Sequence, residues 1–244
     1  MAQQRLQKVL AAAGVDSRRN CEQLILDGVV RVNGQVVDSL PAFADPREDT
    51  ITVNGRRIRA VEKVYYLLNK PRGVICSNKD PQGRPKAVDL VPVPQRIFCA
   101  GRLDADTTGI IILTNDSELV NRLTHPRYGL PKTYVVRVGG NIDGATAEKL
   151  KKGVWLAEGK TGRASVKILK RGRKESLIEI TIRQGLNRQI RRMLAAVGLS
   201  VRSLKRTNIG RLDGKGLGVG RFRPLSGGEV AYLKKAAGGG TGRK

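Results

Sequence analysis

Two Asn-Gly dipeptides, at 33–34 and 54–55, constrain the first part of the chain more than any other local feature. Each lies between two short runs rich in β-branched residues, which is the pattern of a hairpin with a two-residue turn. Apolar residues at helical spacing precede the hairpins over 5–13, and Ser17 is placed to cap a second short helix. We therefore expect a compact helix–helix–strand unit over residues 1–60.

A second, larger folded region is predicted after a short linker at 61–63. Its clearest element is Ile110–Leu113, an entirely apolar run that predicts a buried strand. Other runs rich in β-branched and apolar residues predict strands at 65–68, 134–138, 165–169 and 177–182. Helices are predicted to begin at the capping residues Asn115, Asn187 and Ser226.

The order of these elements predicts the fold class. A few helices interrupt the strands without regular βαβ repetition, which favours an α+β fold with a mainly antiparallel sheet. We therefore assign residues 1–60 to the small domain and 64–235 to the larger sheet domain. The last residues, 236–244, are basic and rich in Gly, and they predict a disordered tail.

The charge of the chain indicates a polyanionic partner. Lys and Arg number 46 against 21 Asp and Glu, which gives a net charge of +25. The excess is uneven, because residues 1–60 hold nine basic and seven acidic residues, whereas 183–223 hold eleven basic residues and one acid. A field of this size favours binding to nucleic acid, where neutralised phosphates release counterions.

The amino-acid composition excludes several kinds of metal and phosphate-binding site. His125 is the single histidine, so metal sites that need two histidines are excluded, and the sequence has no phosphate-binding GxxxxGK[ST] loop. We expect no metal and no cofactor, and catalysis by carboxylate, Arg, Lys, Tyr, Ser, Thr or Cys. The three cysteines form no CxxC pair, and neither a signal-peptide pattern nor a membrane-spanning apolar run is present. A cytoplasmic protein with reduced thiols is the expectation.

Basic residues lie beside both predicted N-terminal helices. Arg5 and Lys8 flank the first, and Arg18 and Arg19 occupy the first turn of the second, facing away from its apolar side. Arginines beside exposed helix N–H groups form a phosphate-binding surface, although a solvated helix face carries the same residues. The string RLQKVLAAAGVDSRRNCEQLILDGVVRVNGQVV resembles the S-four (S4) RNA-binding domain. That resemblance implies that these four residues bind structured RNA.

The segment Gly101–Gly109 is the strongest candidate for an active site. It compresses Arg102, Asp104, Asp106 and two threonines into a loop that leads directly into the buried strand. A carboxylate in such a loop is held rigidly and partly dehydrated, and it needs a cationic partner. An ordinary turn with local salt bridges is the competing interpretation, because Asp, Thr and Gly are frequent turn residues.

The helix predicted after Asn187 offers a partner for that carboxylate. At 100° per residue, Arg188 and Arg192 point nearly opposite its apolar stripe, whereas Arg191 lies at the flank. Arg191 is therefore placed to reach a buried carboxylate while its neighbours face solvent or phosphate. Tyr134, at the start of a predicted strand, either presents its ring to a base or packs in the core.

Five ordered motifs resemble one enzyme family. LNKPRG is followed by GRLDADTTG, IIILTND, PKTY and NRQIRRM, and together they look like the pseudouridine synthases, more narrowly the RsuA-type branch that joins an S4 domain to the catalytic domain. The resemblance extends to about residue 234. It implies that 64–235 form a pseudouridine synthase domain, which isomerises uridine to pseudouridine within RNA.

The resemblance also implies roles for individual residues. Asp104 corresponds to the catalytic aspartate, Arg191 to the arginine that pairs with it, and Tyr134 to the tyrosine that packs on the target base. Arg102 is implied to help hold the backbone and the flipped nucleotide. Arg188 and Arg192 are assigned to phosphate contacts.

The spelling of the motifs most resembles that of enzymes acting on large-subunit ribosomal RNA, and small-subunit or transfer RNA is left open as the substrate. A monomer that acts on free RNA or on an assembling particle is the default. The principal alternative is a non-catalytic RNA-binding factor of ribosome assembly, because the net charge and the N-terminal unit fit it equally well. A nuclease is disfavoured, because a metal-dependent one needs clustered carboxylates.

Overall fold

The computed structural model of the chain describes residues 3–238. These residues form two compact units: the first runs up to Val64 and includes Val93–Arg96, and the second comprises Tyr65–Pro92 and the residues from Ile97 onward. The basic tail predicted at 236–244 lies outside the described residues from 239 onward. Within 3–238, no helix is both long and apolar enough to cross a membrane.

The first unit contains two helices and six short strands. They are β1 (Gln4–Arg5), α1 (Leu6–Ala12), α2 (Arg18–Leu26), β2 (Val30–Val32), β3 (Gln35–Val37), β4 (Phe43–Ala44), β5 (Ile51–Val53) and β6 (Arg56–Arg57). The sheet order is β3-β2-β5-β6, and β1 pairs with β4. Asn33 and Asn54 have φ of 51° and 48°, as two-residue hairpin turns require. Both predicted hairpins are confirmed.

The two helices of this unit pack over a small apolar core. The Oγ of Ser17 accepts a hydrogen bond from the backbone N–H of Asn20 at 3.2 Å, so the predicted cap of α2 is confirmed. Leu6 and Leu10 of α1 and Cys21 and Ile25 of α2 are fully buried. This packing leaves the polar faces of both helices at the surface.

The second unit is built on one large sheet with helices around it. Its strands are β7 (Tyr65–Lys70), β8 (Phe98–Cys99), β9 (Thr108–Thr114), β10 (Lys132–Gly139), β11 (Trp155–Leu156), β12 (Gly159–Lys160), β13 (Ser165–Lys170), β14 (Glu175–Ile182), β15 (Ser200–Ile209), β16 (Leu212–Asp213) and β17 (Phe222–Pro224). Its helices are α3 (Ser117–Thr124), α4 (Gly144–Lys152), α5 (Gln189–Ala195) and α6 (Gly227–Gly238), with 3-10 turns at Ala87–Leu90 and Pro126–Tyr128.

The large sheet has nine strands, with the central order β13-β14-β10-β15-β9-β7-β17. β9 and β15 are its one parallel pair among the described strands, and the other pairs are antiparallel. The fold is therefore α+β with a mainly antiparallel sheet, as predicted. A separate two-stranded ribbon is formed by β11 and β12.

Two predicted helix starts differ from the structure, and one agrees. Asp116, not Asn115, caps α3, because its carboxylate accepts from the backbone N–H of Leu119 at 3.1 Å. The residue before α5 is Arg188, not Asn187, and it makes no side-chain capping bond. At α6, Ser226 and Glu229 form the predicted reciprocal capping box, with backbone N–H to side-chain oxygen distances of 2.8 and 3.2 Å.

Candidate active site

A tight turn presents the candidate catalytic carboxylate. The backbone N–H of Thr107 donates to the carbonyl of Asp104 at 3.0 Å, and β9 begins at the next residue. Leu103, just before the turn, is 6% exposed, and its backbone N–H donates to the sulfur of Cys76 at 3.4 Å. A buried residue on one side and a buried strand on the other therefore hold Asp104 in place.

The buried ammonium of Lys70 helps to hold the same turn through the carbonyl of Ala105. The sequence analysis missed this role. The Lys70 side chain is fully buried, and its ammonium donates to the carbonyls of Val74 at 2.7 Å and Pro71 at 2.9 Å. The carbonyl of Ala105 lies 3.5 Å from the same ammonium and accepts from the backbone N–H of Gly73 at 2.7 Å. Burial lowers the pKa of Lys70, and nearby acidic groups partly offset this effect. The available signal was the LNKPRG motif, which contributed to the family resemblance but was given no role for its Lys.

Two arginines and two aspartates alternate in a chain of ion pairs. Arg188 lies 3.2 Å from an oxygen of Asp104 and 3.7 Å from an oxygen of Asp106. Arg191 lies 2.9 Å from the other oxygen of Asp106. Arg188 and Asp106, in the middle of the chain of charges, are 47% and 39% exposed, whereas Asp104 and Arg191 at its two ends are 29% and 15% exposed.

The pairing corrects the predicted contact between Asp104 and Arg191. Helical projection placed Arg188 on the side away from the core, but Arg188 precedes the first helical residue. Its φ of 46° and ψ of 33° are left-handed, so its direction does not follow the 100° spacing. Its guanidinium consequently turns back to Asp104, and Arg191 contacts the neighbouring Asp106.

A cleft with a volume of 350 Å³ opens beside the turn. Arg102, Asp104, Tyr134 and Arg188 are among the residues that line it. Tyr134 is 7% exposed, whereas Arg102 lies at the surface. A cleft of this size is in the range of small-ligand sites, and these residues bring a carboxylate, an aromatic ring and two cations to one place.

The sheet register sets the floor of this cleft. Tyr134 lies directly opposite Ile180 on one neighbouring strand and Arg206 on the other. Lys132, two residues earlier on the same strand, shares the face of Tyr134 and also lines the cleft. The sequence analysis assigned no role to Lys132 or Arg206, although Lys132 lies in the PKTY motif.

Arg192 has a different partner from its neighbours. Its guanidinium binds both carboxylate oxygens of Glu158, and this hydrogen bonding lowers the pKa of Glu158 to about 2. Arg192 is not among the residues that line the cleft. A phosphate contact by Arg192, as predicted, would therefore compete with Glu158.

The four basic residues predicted to bind RNA in the first unit are all exposed. Lys8 belongs to α1, Arg5 immediately precedes it, and Arg18 and Arg19 form the first turn of α2. None of the four lies within 4.0 Å of a carboxylate oxygen of residues 3–238. Their charges are therefore free to meet an anionic ligand.

Comparison with known proteins supports the same division of the chain. Residues 64–196 match the family described as RNA pseudouridylate synthase, and residues 4–40 match the S4 domain. Ribosomal large subunit pseudouridine synthase B of Bacillus subtilis (strain 168) is 46% identical over 237 residues, which cover 96% of this chain and 97% of that protein. An uncharacterized RNA pseudouridine synthase of Aquifex aeolicus (strain VF5) is 41% identical over 240 residues, which cover 98% and 96% of the two chains.

The fold agrees with a solved enzyme of the same kind. A crystal structure of a pseudouridylate synthase matches with a TM-score of 0.69 and 31% sequence identity, over 94% of this chain and 99% of that one. The family match covers the turn with Asp104, the strand with Tyr134 and the helix with Arg191. The chain therefore belongs to the RNA pseudouridylate synthase family and carries an S4 domain at its N-terminal end.

Proposed function

We propose that this enzyme isomerises a uridine of large-subunit ribosomal RNA, with Asp104 as its catalytic carboxylate. One observation carries the assignment to Asp104: its carboxylate lies on the wall of a cleft, on an anchored turn, with Arg188 at 3.2 Å. The name of the Bacillus subtilis relative supports large-subunit RNA as the substrate.

The chemistry requires the uridine to leave the RNA stack and enter the cleft. Unstacking costs a few kcal/mol, which contacts inside the site offset. Tyr134 is placed to pack against the base, and Arg102, at the exposed rim, to hold the flipped nucleotide. The Asp104 carboxylate, beside Arg188, either attacks the ribose C1′ or assists elimination to a glycal. The freed uracil then turns and rejoins through C5.

The remaining parts of the proposal concern the RNA outside the cleft. Arg5, Lys8, Arg18 and Arg19 bind phosphates of the RNA, and Arg191 holds Asp106 and, through it, Arg188. Arg192 contacts phosphate when it leaves Glu158. We further propose that the enzyme acts as a monomer in the cytoplasm, without a cofactor.

The decisive assay follows tritium released from uridine C5 of ribosomal RNA transcripts, without added metal or nucleotide. We expect release from large-subunit RNA by the wild type and none by Asp104→Asn, whose RNA affinity stays within a few-fold because one amide barely alters a net charge of +25. Asp106→Asn is the matched control, because it removes the neighbouring carboxylate of the same turn. It should be slower than the wild type but still active.

Two outcomes would contradict the proposal. Turnover by purified Asp104→Asn would remove Asp104 from the mechanism. Absence of release from free large- and small-subunit RNA and from precursor particles, despite tight binding, would favour the alternative of a non-catalytic factor of ribosome assembly.

A further inference from the structure

Cleavage of the bond between uracil N1 and ribose C1′ creates a charge that the proposed chemistry leaves without a partner. The electron pair of the broken bond leaves with the ring, so uracil becomes an anion with charge on N1, O2 and O4. This holds whether Asp104 attacks C1′ or assists elimination. Groups already placed to stabilise such a charge lower the barrier more than any that must reorganise.

The floor of the cleft brings two cations to the face that carries Tyr134. Residues directly opposite in neighbouring strands point the same way, with Cβ atoms about 5 Å apart, and Arg206 lies opposite Tyr134. Residues two apart on a strand also share a face, which adds Lys132. Leu204 and Ile182 complete this floor with apolar side chains. The two cations therefore lie beside Tyr134 at the floor of the cleft, in poorly solvated surroundings.

Arg206 is buried away from the carboxylates of the described residues. It is 2% exposed, and its Nε donates to the carbonyl of Ile110 at 2.7 Å. Its buried Nη2 atom has no hydrogen-bond partner in the described part of the chain, and no carboxylate there lies within 4.0 Å of the guanidinium. A buried guanidinium with an unpaired donor is costly, and such cases point to a functional role.

The Lys132 ammonium has N–H donors that make no hydrogen bond within the described part of the chain. It carries three donors and gives one hydrogen bond within residues 3–238, to the carbonyl of Leu130 at 3.2 Å. Burial, together with the charge of Arg206, lowers the pKa of Lys132 to about 8. Lys132 is therefore largely protonated at neutral pH, yet its charge is poorly solvated and would gain from an anionic partner.

We propose that Lys132 donates a hydrogen bond to a carbonyl oxygen of the departing uracil, and that the charge of Arg206 below it stabilises the uracil anion. The inference rests on the proposed function and adds the stabilisation of the leaving group. The N1–C1′ bond breaks and its electrons enter the ring. The C5–C1′ bond then forms as the Asp104–C1′ ester bond breaks or, on the elimination path, as C2′ of the glycal regains the proton that it lost. C5 loses its proton and N1 gains one, so protons and electrons balance. Lys132 is in this account a catalytic residue, and Arg206 acts through the charge that it supplies.

The experiment compares two leaving groups under single-turnover conditions at saturating enzyme. The RNA carries either uridine or 5-fluorouridine, whose ring leaves more readily because fluorine withdraws electrons. Loss of the target nucleoside from nuclease digests measures cleavage. We expect Lys132→Met to slow uridine about 100-fold and 5-fluorouridine less than about 10-fold, with RNA affinity unchanged, as a lost leaving-group contact predicts. Lys132→Arg should recover part of the loss.

Lys205→Met is the matched control. Lys205 precedes Arg206 on β15 but is exposed on the opposite face of the sheet, so it should leave both rates unchanged. Thermal melting checks the fold of each variant. If Arg206→Lys folds, it should likewise slow the reaction of uridine more than that of 5-fluorouridine. Equal slowing of both RNAs by Lys132→Met, or a loss of affinity alone, would overturn this inference while the proposed function stands. An inactive wild type would instead overturn the proposed function.

Discussion

Arg188 lies one residue before α5, and that position decides its partner. Had it adopted helical dihedral angles, its side chain would project away from the sheet. Its left-handed conformation instead directs the guanidinium to Asp104, at 3.2 Å. Arg191, within the helix, contacts Asp106 at 2.9 Å. The two arginines therefore divide the two carboxylates of one turn between them.

This division predicts different effects for two nearby arginines, Arg188 and Arg192. Arg188→Gln should lower the single-turnover rate at least about 10-fold, because it removes the cation beside Asp104 and costs about 1.4 kcal/mol or more in the transition state. Arg192→Gln, which loses contacts with Glu158 and with the carbonyl of Asn187 but none with Asp104, should change the rate less than about 3-fold. The tritium-release assay at saturating enzyme measures both. Equal losses in the two variants would contradict the assignment.

Among the elements, the parallel contact between β9 and β15 has the tightest steric requirement. A Cβ at Gly109 would lie 2.1 Å from the carbonyl oxygen of Arg206, and the φ of Gly109 is 104°. Only glycine lets the two backbones approach in this way. The same approach places the strand that follows the Asp104 turn against the strand that carries Arg206.

Gly109→Ala should therefore destabilise the protein by at least about 3 kcal/mol, since strain and a backbone clash add. Gly83→Ala is the control: its φ of 67° is also left-handed, but nothing lies within 4 Å of the added Cβ. We expect that variant to lose only about 1–2 kcal/mol. Urea denaturation of both variants measures the difference. Similar losses would show that conformational strain alone limits position 109.

The capping box of α6 predicts a pH dependence of stability. The hydrogen bond from Arg223 lowers the pKa of Glu229 to about 2, below the unfolded value of about 4.3. A lowered carboxylate pKa stabilises the folded state above the unfolded pKa, and the effect fades as pH falls toward 2. Glu229→Gln should therefore be less stable than the wild type at pH 7, and the gap should shrink between pH 5 and pH 2.

Urea unfolding across that pH range tests this expectation, with Ser226→Ala as a control. The Ser226 hydroxyl does not titrate in this range, so its loss should cost about 1 kcal/mol at every pH. A gap for Glu229→Gln that stayed constant with pH would mean that the Glu229 carboxylate is not stabilised by Arg223.

At the scale of the whole molecule, charge governs the interaction with RNA. The net charge of +25 favours a general attraction to RNA, and the basic residues of α1 and α2 that we propose to bind it are exposed. Arg18 and Arg19 lie in the first turn of α2, where the side chains and the helix N–H groups favour phosphate together. Their contribution is measurable as a change in salt dependence.

The double variant Arg18→Ala/Arg19→Ala should bind RNA more weakly and reduce the slope of log K against log salt by up to about two counterions. Filter binding to a ribosomal RNA transcript at several salt concentrations gives the slope. Arg18→Lys/Arg19→Lys keeps both charges and should keep the slope. An unchanged slope in the alanine variant would show that this turn faces solvent in the complex.

Local patterns in the sequence determined many elements of this protein. The Asn-Gly hairpins, the cap at Ser17, the buried strand after Gly109 and the capping box of α6 each depend on residues a few positions apart. The five motifs also pointed to the family, because they occur along this chain in the same order as in the family.

Only the tertiary structure decided which groups meet in the active site. β15 escaped prediction because its stability comes from β10 and β9, strands far away in the chain. Because β15 was not predicted, the position of Arg206 opposite Tyr134 was not predicted either. The left-handed conformation of Arg188 also places this residue, instead of Arg191, beside Asp104. Side-chain direction depends on long-range strand register and on single backbone dihedral angles, and local periodicity carries neither.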